Sequence, residues 1–405
     1  MYRGGISRGG PESRLPDPHL VDWTAMILRW FHLVTGAAWI GASFYFVWLN
    51  NHVRPVDSGD PTRGLAGEVF AIHGGAFYRV SKFGGAPEQL PNVLHWFKWE
   101  AYLTWVTGML LLGVTYWMDA RSMMVDPAVR DLSPSTAVGV GAGSLVLGYV
   151  VYDVLCRAMS RQPLALAALG AALFTGASYA LFALLGARAA TMHLGAMIGT
   201  IMAANVLFVI IPGQRAMVDA MVAGREPPLE RGKAGALRSF HNNYFTLPAL
   251  FVMVSNHYPV IWSHRYAWLL VVGICVLGGL IRHGFNLAGV GRPRPFVPSI
   301  AGAAGLVVLA VVTRAPTPEA ATATVNVTAV QQVIAARCLS CHSQTPTQAG
   351  FVAPPKGLAL DDRATIEANR AKIGAQVSNG AMPLGNLTAM TDDERQLVVN
   401  WAAGG

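Results

Sequence analysis

The stretch TMHLGAMIGTIMAANVLFVIIPG, residues 191–213, contains no Asp, Glu, Lys or Arg. As a helix it rises about 1.5 Å per residue, enough to cross the roughly 30 Å hydrocarbon layer of a bilayer. With that segment counted from residue 190 to 212, eight such apolar stretches run along the chain, the others at about 23–49, 96–118, 135–156, 164–186, 239–256, 266–285 and 296–313. The 239–256 stretch is short and contains Pro248, so its ends are the least defined. The predicted fold class is all-α: a polytopic membrane domain of about eight transmembrane helices, followed by a small helical domain.

Composition agrees. Of 405 residues, 53% are hydrophobic and 13% charged, with a mean hydropathy of +0.40. Soluble domains carry roughly 25% charged residues. The net charge of +8 is dispersed through loops and forms no patch, so no nucleic-acid partner is expected and the lipid bilayer is. Lys and Arg are more frequent in the loops after the first, third, fifth and seventh stretches, for example Arg215, Arg225, Arg231, Lys233 and Arg238. That bias puts both termini outside. Residues 1–20 are polar and rich in Gly, Pro and Arg, reading as a disordered tail without a cleavable signal. The expected domains are a membrane domain over 21–313, a Pro-, Ala- and Thr-rich linker over 314–326, and a polar domain over 327–405.

The polar domain carries RCLSCHSQ, residues 337–344. Cys338 and Cys341 two apart, with His342 directly after, is the spacing of covalent haem c attachment. The thiols would form thioethers to the porphyrin, and His342 would ligate iron from one face. SNGAMPLGN, residues 378–386, supplies Met382 as the other axial ligand, with Met390 as its competitor. Thr391 and Glu394 fit a capping box that starts a last helix. Together these residues resemble a class I cytochrome c. Cys156 and Cys275 lie in apolar stretches and read as core fillers.

Ionisable groups inside spanning helices are costly, so each is a functional candidate. Glu100 follows Trp96 by one helical turn. It is either a proton acceptor or substrate anchor, or an interfacial carboxylate paired with Lys98 or an arginine. Asp153 and Arg157, four apart, read as an ion pair. His32, His95, His193, His241 and His283 lie in or beside five different helices. With the N-terminus outside, His32 and His193 fall in the outer half and could ligate a haem b. His95, His241 and His283 fall near the inner face and, with Asn242, Asn243 and Tyr244, could line a polar pocket. Gly195 and Gly199 read as a close-packing surface.

The stretches FHLVTGAAWIGASFYFVWLN (31–50), HGGAFYRVSKF (73–83), LHWFKWEAYLTWVTGMLLLG (94–113), HLGAMIGTIMAANVLFVIIPGQR (193–215) and HNNYFTLPALFVMVSNHYP (241–259) resemble the integral-membrane urate hydroxylases of bacterial purine catabolism. Members join an eight-helix membrane domain to a C-terminal cytochrome c in the inner membrane, with the cytochrome periplasmic. The resemblance implies oxidation of urate to 5-hydroxyisourate with oxygen from water and no hydrogen peroxide. Electrons would leave through the haem to a soluble cytochrome c or a terminal oxidase. The residues assigned to the membrane site are His95, Glu100, His241, Asn242, Asn243 and Tyr244, with His73 and Tyr78 as weaker candidates. The resemblance leads one to expect a third glycine where Ala76 stands. Two further readings keep the same histidines in view: a quinol dehydrogenase, and a non-catalytic electron-transfer subunit.

Overall fold

A computed structural model describes residues 18–55, 65–83, 87, 90–91, 93–313, 326–348, 351 and 353–404. The N-terminal tail before residue 18 and most of the expected linker lie outside the described residues.

The elements run α1 (Pro18–His52), β1 (Leu65–His73), β2 (Ala76–Phe83), α2 (Trp99–Leu112), α3 (Ala120–Met123), α4 (Pro134–Met159), α5 (Pro163–Leu184), α6 (Ala187–Asn205), α7 (Ile211–Val222), α8 (Leu229–Ser255), α9 (Pro259–Trp262), α10 (Ala267–Gly289), α11 (Val297–Val312), α12 (Val327–Arg337), α13 (Arg363–Ala368), α14 (Arg370–Ser378) and α15 (Asp392–Ala403). Among the described residues the chain is all-α apart from one hairpin. A helix stands at each of the eight expected places. Among the described residues, five segments are long and apolar enough to cross a membrane: His19–His52, α4, α5, Ala187–Val222 and α10. The others fall short for separate reasons. α2 gives way after Leu112 to a wider π-turn over Gly113–Trp117. α8 begins with the polar run LERGK. α11 has only 16 residues.

The segment opened by residue 191 is the axis of the bundle. α6 continues through a π-turn (Val206–Ile210) into α7, and 61% of its apolar window is buried, against 11–28% for the other four spans. α6 packs on α4, α5 and α8, while α1 lies on α2 and α11 on α10. Small residues permit the close approach. A side chain at Gly195 would strike Val252 of α8, and one at Gly148 would strike Met197. Gly199 faces open space, so only Gly195 of the expected pair is a packing contact. A methyl group at Gly141 would land on the His193 ring. Gly141→Ala is therefore expected to cost about 1–3 kcal/mol through overpacking, read as a lower midpoint of thermal unfolding in detergent.

The first long loop contains the hairpin, which the helical reading did not foresee. His73 pairs with Ala76 in the antiparallel ladder, so the turn is Gly74-Gly75, with φ of 58° and 80°. Two positive φ values define the hairpin turn that glycine adopts without steric cost. Ala76 sits in the strand with no such demand, so a third glycine is not required there.

α12–α15 surround their own apolar cluster of Val330, Val333, Ile334, Ile373, Val377, Val398 and Trp401. α12 covers the helix expected before the cysteines. The capping box forms as expected: Glu394 N donates to Thr391 Oγ1 at 3.2 Å and Thr391 N donates to Glu394 Oε2 at 2.8 Å. Arg337 locks the same carboxylate at 3.0 Å. This unit meets the bundle where Gly385 presses on the Ser122 backbone and Gly380 on Ser263. Those contacts are at the end of the bundle where α10 starts. The hairpin is at the other end, where α10 finishes with Gly289 against Asn51.

Candidate functional site

Two polar clusters meet on α8. Its adjacent residues Asn242 and Asn243 point about 100° apart on a helix, so each serves a different neighbour. Asn242 faces α6: Asn205 Nδ2 donates to its Oδ1 at 2.9 Å, and its own Nδ2 donates to the Met202 carbonyl at 3.0 Å. Asn205 Nδ2 also donates to Tyr152 Oη at 3.1 Å, and its Oδ1 accepts from Arg238 Nη1 at 3.2 Å. Arg238 is buried, with one face over the Tyr152 ring, and it pairs with Asp153 Oδ1 at 2.7 Å. Asp153 Oδ2 takes the expected partner Arg157 at 2.7 Å. Tyr152 Oη lies 2.9 Å from His241 Nδ1. Cys156 Sγ lies 3.6 Å from the same nitrogen. In the tautomer that accepts the Tyr152 hydroxyl at Nδ1, neutral His241 carries its own proton on Nε2.

Asn243 faces α10. Arg282 Nε donates to its Oδ1, and its Nδ2 donates to Asn286 Oδ1 at 3.0 Å. Arg282 also lies over the Phe44 ring of α1, 4.0 Å from its centroid. Beside it, Tyr244 Oη and His283 Nδ1 are 2.7 Å apart. Thus Asn242 and Asn243, singled out in sequence as substrate contacts, have both amide ends engaged inside the protein. They bracket the site and hold its neighbours. The residues not foreseen are Tyr152, Asn205, Arg238, Arg282 and Asn286. The signal for the last two was in IRHGFN, residues 281–286, where a cation and an amide recur one turn apart in an apolar helix.

The other expected site residues lie on other elements. Glu100 is in the first turn of α2, and its Oε2 is buried with no hydrogen-bond partner. Among the described residues it forms no ion pair with Lys98 or an arginine. The next residue, Ala101, packs with Val206 and Ile211 near Trp39 and Trp96. His95 is exposed and meets Phe97 edge-on, 4.5 Å between centroids. His73 and Tyr78 lie exposed on the hairpin.

The proposed haem b pair does not fit. His193 is fully buried, its Nδ1 donates to the Ala189 carbonyl at 2.8 Å, and its Nε2 accepts from Trp117 Nε1 at 3.1 Å. No ring nitrogen remains for iron. His32 Nδ1 donates to the Thr104 carbonyl at 2.9 Å, on the α1–α2 face. Among the described residues His32 keeps its Nε2 unengaged, so the pair fails at His193, which has no nitrogen to offer.

Cys338, Cys341 and His342 have the chemistry that covalent haem c attachment needs. Cys338 and Cys341 are free thiols at the end of α12. His342 Nδ1 donates to the Leu358 carbonyl at 2.9 Å, which leaves Nε2 as the bare lone pair a metal needs. Met382 is half-buried and lines a cavity of about 980 Å³ between this unit and the bundle, a cavity that Cys338, Cys341 and His342 do not line. Met390 touches the same cavity but is buried in the core, bracketed by Asn386 through both its N–H and its carbonyl. Met382 is thus the freer sulfur.

A family model described as urate oxidase N-terminal matches residues 18–314, the whole helical bundle. The chain belongs to that family. Neither a curated protein nor a solved structure matches it. Membership makes the urate oxidase N-terminal region the part of the chain concerned with urate chemistry and points to an oxidoreductase. Both α8 clusters lie inside the matched residues, and Cys338, Cys341, His342 and Met382 lie beyond them.

Proposed function

We propose that the bundle oxidises urate to 5-hydroxyisourate and that residues 327–405, as a class I cytochrome c domain, carry the electrons away. The balance is urate plus water giving 5-hydroxyisourate, two electrons and two protons. Family membership over residues 18–314 carries this reading, and the free Cys338, Cys341 and His342 Nε2 supply its electron outlet. Haem c, when bound, provides a one-electron acceptor. Within the bundle, the chain's own groups bind and deprotonate. Glu100, with a buried carboxylate oxygen lacking any partner, is the proton acceptor. His241, oriented by Tyr152, offers Nε2–H to a substrate oxygen. The ion pair of Arg238 and Asp153 fixes Asn205, and through it Tyr152. The chain lies in a bacterial inner membrane with its C-terminal unit outside, and it delivers electrons to a soluble cytochrome c or a terminal oxidase.

The test is anaerobic. Adding urate to purified, haem-loaded protein is expected to bring up the reduced haem c absorption, two haems per urate because each iron takes one electron. A spectrum that stays oxidised with urate but is reduced by a quinol would sink this reading in favour of a quinol dehydrogenase.

A further inference from the structure

Two buried arginines stand in the polar layer, and they are treated differently. Arg238 is neutralised by Asp153 at 2.7 Å. Arg282 is buried to 9% exposure, yet among the described residues no carboxylate lies within ion-pair distance of it. Its neighbours are a neutral amide oxygen of Asn243, the Phe44 ring and, within electrostatic reach, the neutral Tyr244 phenol. An uncompensated cation inside an apolar bundle is expensive, and natural bundles keep such groups for ions or substrates. One turn further along α10, Asn286 Nδ2 is buried without an acceptor. Arg282 Nη1 and Nη2 likewise donate to no described residue. Asn243 binds both residues, one through each end of its amide, and so sets the two groups of donors side by side.

We infer that Arg282 and Asn286 form the anion-recognising edge of the substrate site, binding a planar monoanion through its N–C–O edge. The inference rests on the urate reading above. Urate is a monoanion at neutral pH, and its edge of alternating nitrogen and carbonyl oxygen accepts two parallel N–H bonds as a carboxylate does. One negative charge cancels one guanidinium, and the free amide takes a second acceptor on the same edge. Asn243 is a positioning residue in this arrangement and does not touch the ligand.

The test uses the full-length haem-loaded protein and urate. Arg282→Gln removes the charge. Asn286→Asp places a carboxylate beside Arg282 and neutralises it from within. Both variants are expected to raise the KM for urate by about 10- to 100-fold, the range that a charge-assisted contact of this kind commands. Neither is expected to lower the Tm, because the first removes an unpaired buried charge and the second pairs it; a structural arginine would lose stability on replacement. On the unaltered protein, urate should raise the Tm, and the uncharged purine caffeine should not compete with it. An unchanged KM in either folded variant, or equal competition by caffeine, overturns the inference. If the unaltered haem stays oxidised under urate, the functional reading fails instead, which separates the two.

Discussion

Replacing Arg238 by Met is expected to lower the unfolding free energy of the bundle by about 3–5 kcal/mol, the usual consequence of stranding one member of a buried ion pair. The side chains of Arg238 and Asp153 are 5% and 15% exposed, so water does little to rescue the abandoned carboxylate. Arg157, with a 72% exposed side chain, still holds Asp153 Oδ2 but cannot replace a buried partner. The loss also removes the donor to Asn205 Oδ1 and the cation over the Tyr152 ring, loosening the orientation of His241. The double variant Asp153→Asn with Arg238→Met should recover most of the loss, since it leaves no buried charge. Denaturant titrations of the four proteins in one detergent give the coupling. Additive losses in the double variant would show that the pair is not a unit.

The second large effect concerns the thiols. Cys338→Ser combined with Cys341→Ser is expected to abolish covalent haem and bring urate-driven reduction of an added soluble cytochrome c to background. The bundle should still fold, because the α6 cluster and the C-terminal cluster share no residue. The C-terminal unit should suffer more, since a domain of this size has little apolar core to stand on without its cofactor. Haem stain after denaturation, proteolysis of the C-terminal unit and the anaerobic urate titration give three separate readouts. Electron delivery at the unaltered rate from the double variant would show that the outlet lies elsewhere.

Much of the architecture was legible because hydrophobic periodicity needs no partner. The eight apolar segments, the ion pair of Asp153 and Arg157, the capping box at Thr391 and the helix entering Cys338 each depend on residues within one or two turns. The hairpin was missed because its strands sit in a loop between two helices, where only the Gly74-Gly75 turn signals them. The site was half legible. Asn242 and Asn243 stood out as neighbours, but adjacency on a helix sends their side chains apart, and both proved to be engaged at each end of the amide. Arg282 and Asn286 gain meaning only when α8 and α10 are laid together, a pairing no local pattern encodes. His193 misled for the same reason: its bond from Trp117 crosses between helices.

α10 joins two ends of different character. Arg282 lies about 22 Å along the helix from Ala267 at 1.5 Å per residue, while Gly380 of the C-terminal unit presses on Ser263, just before Ala267. Under the proposed reaction, electrons depart towards one face of the bilayer and the protons remain nearer the other. Turnover is then electrogenic. Each unit charge that traverses the full field exchanges about 2.3 kcal/mol with a potential of 100 mV. In sealed vesicles, the rate should therefore respond to the sign of an imposed voltage, making purine breakdown sensitive to how energised the membrane is.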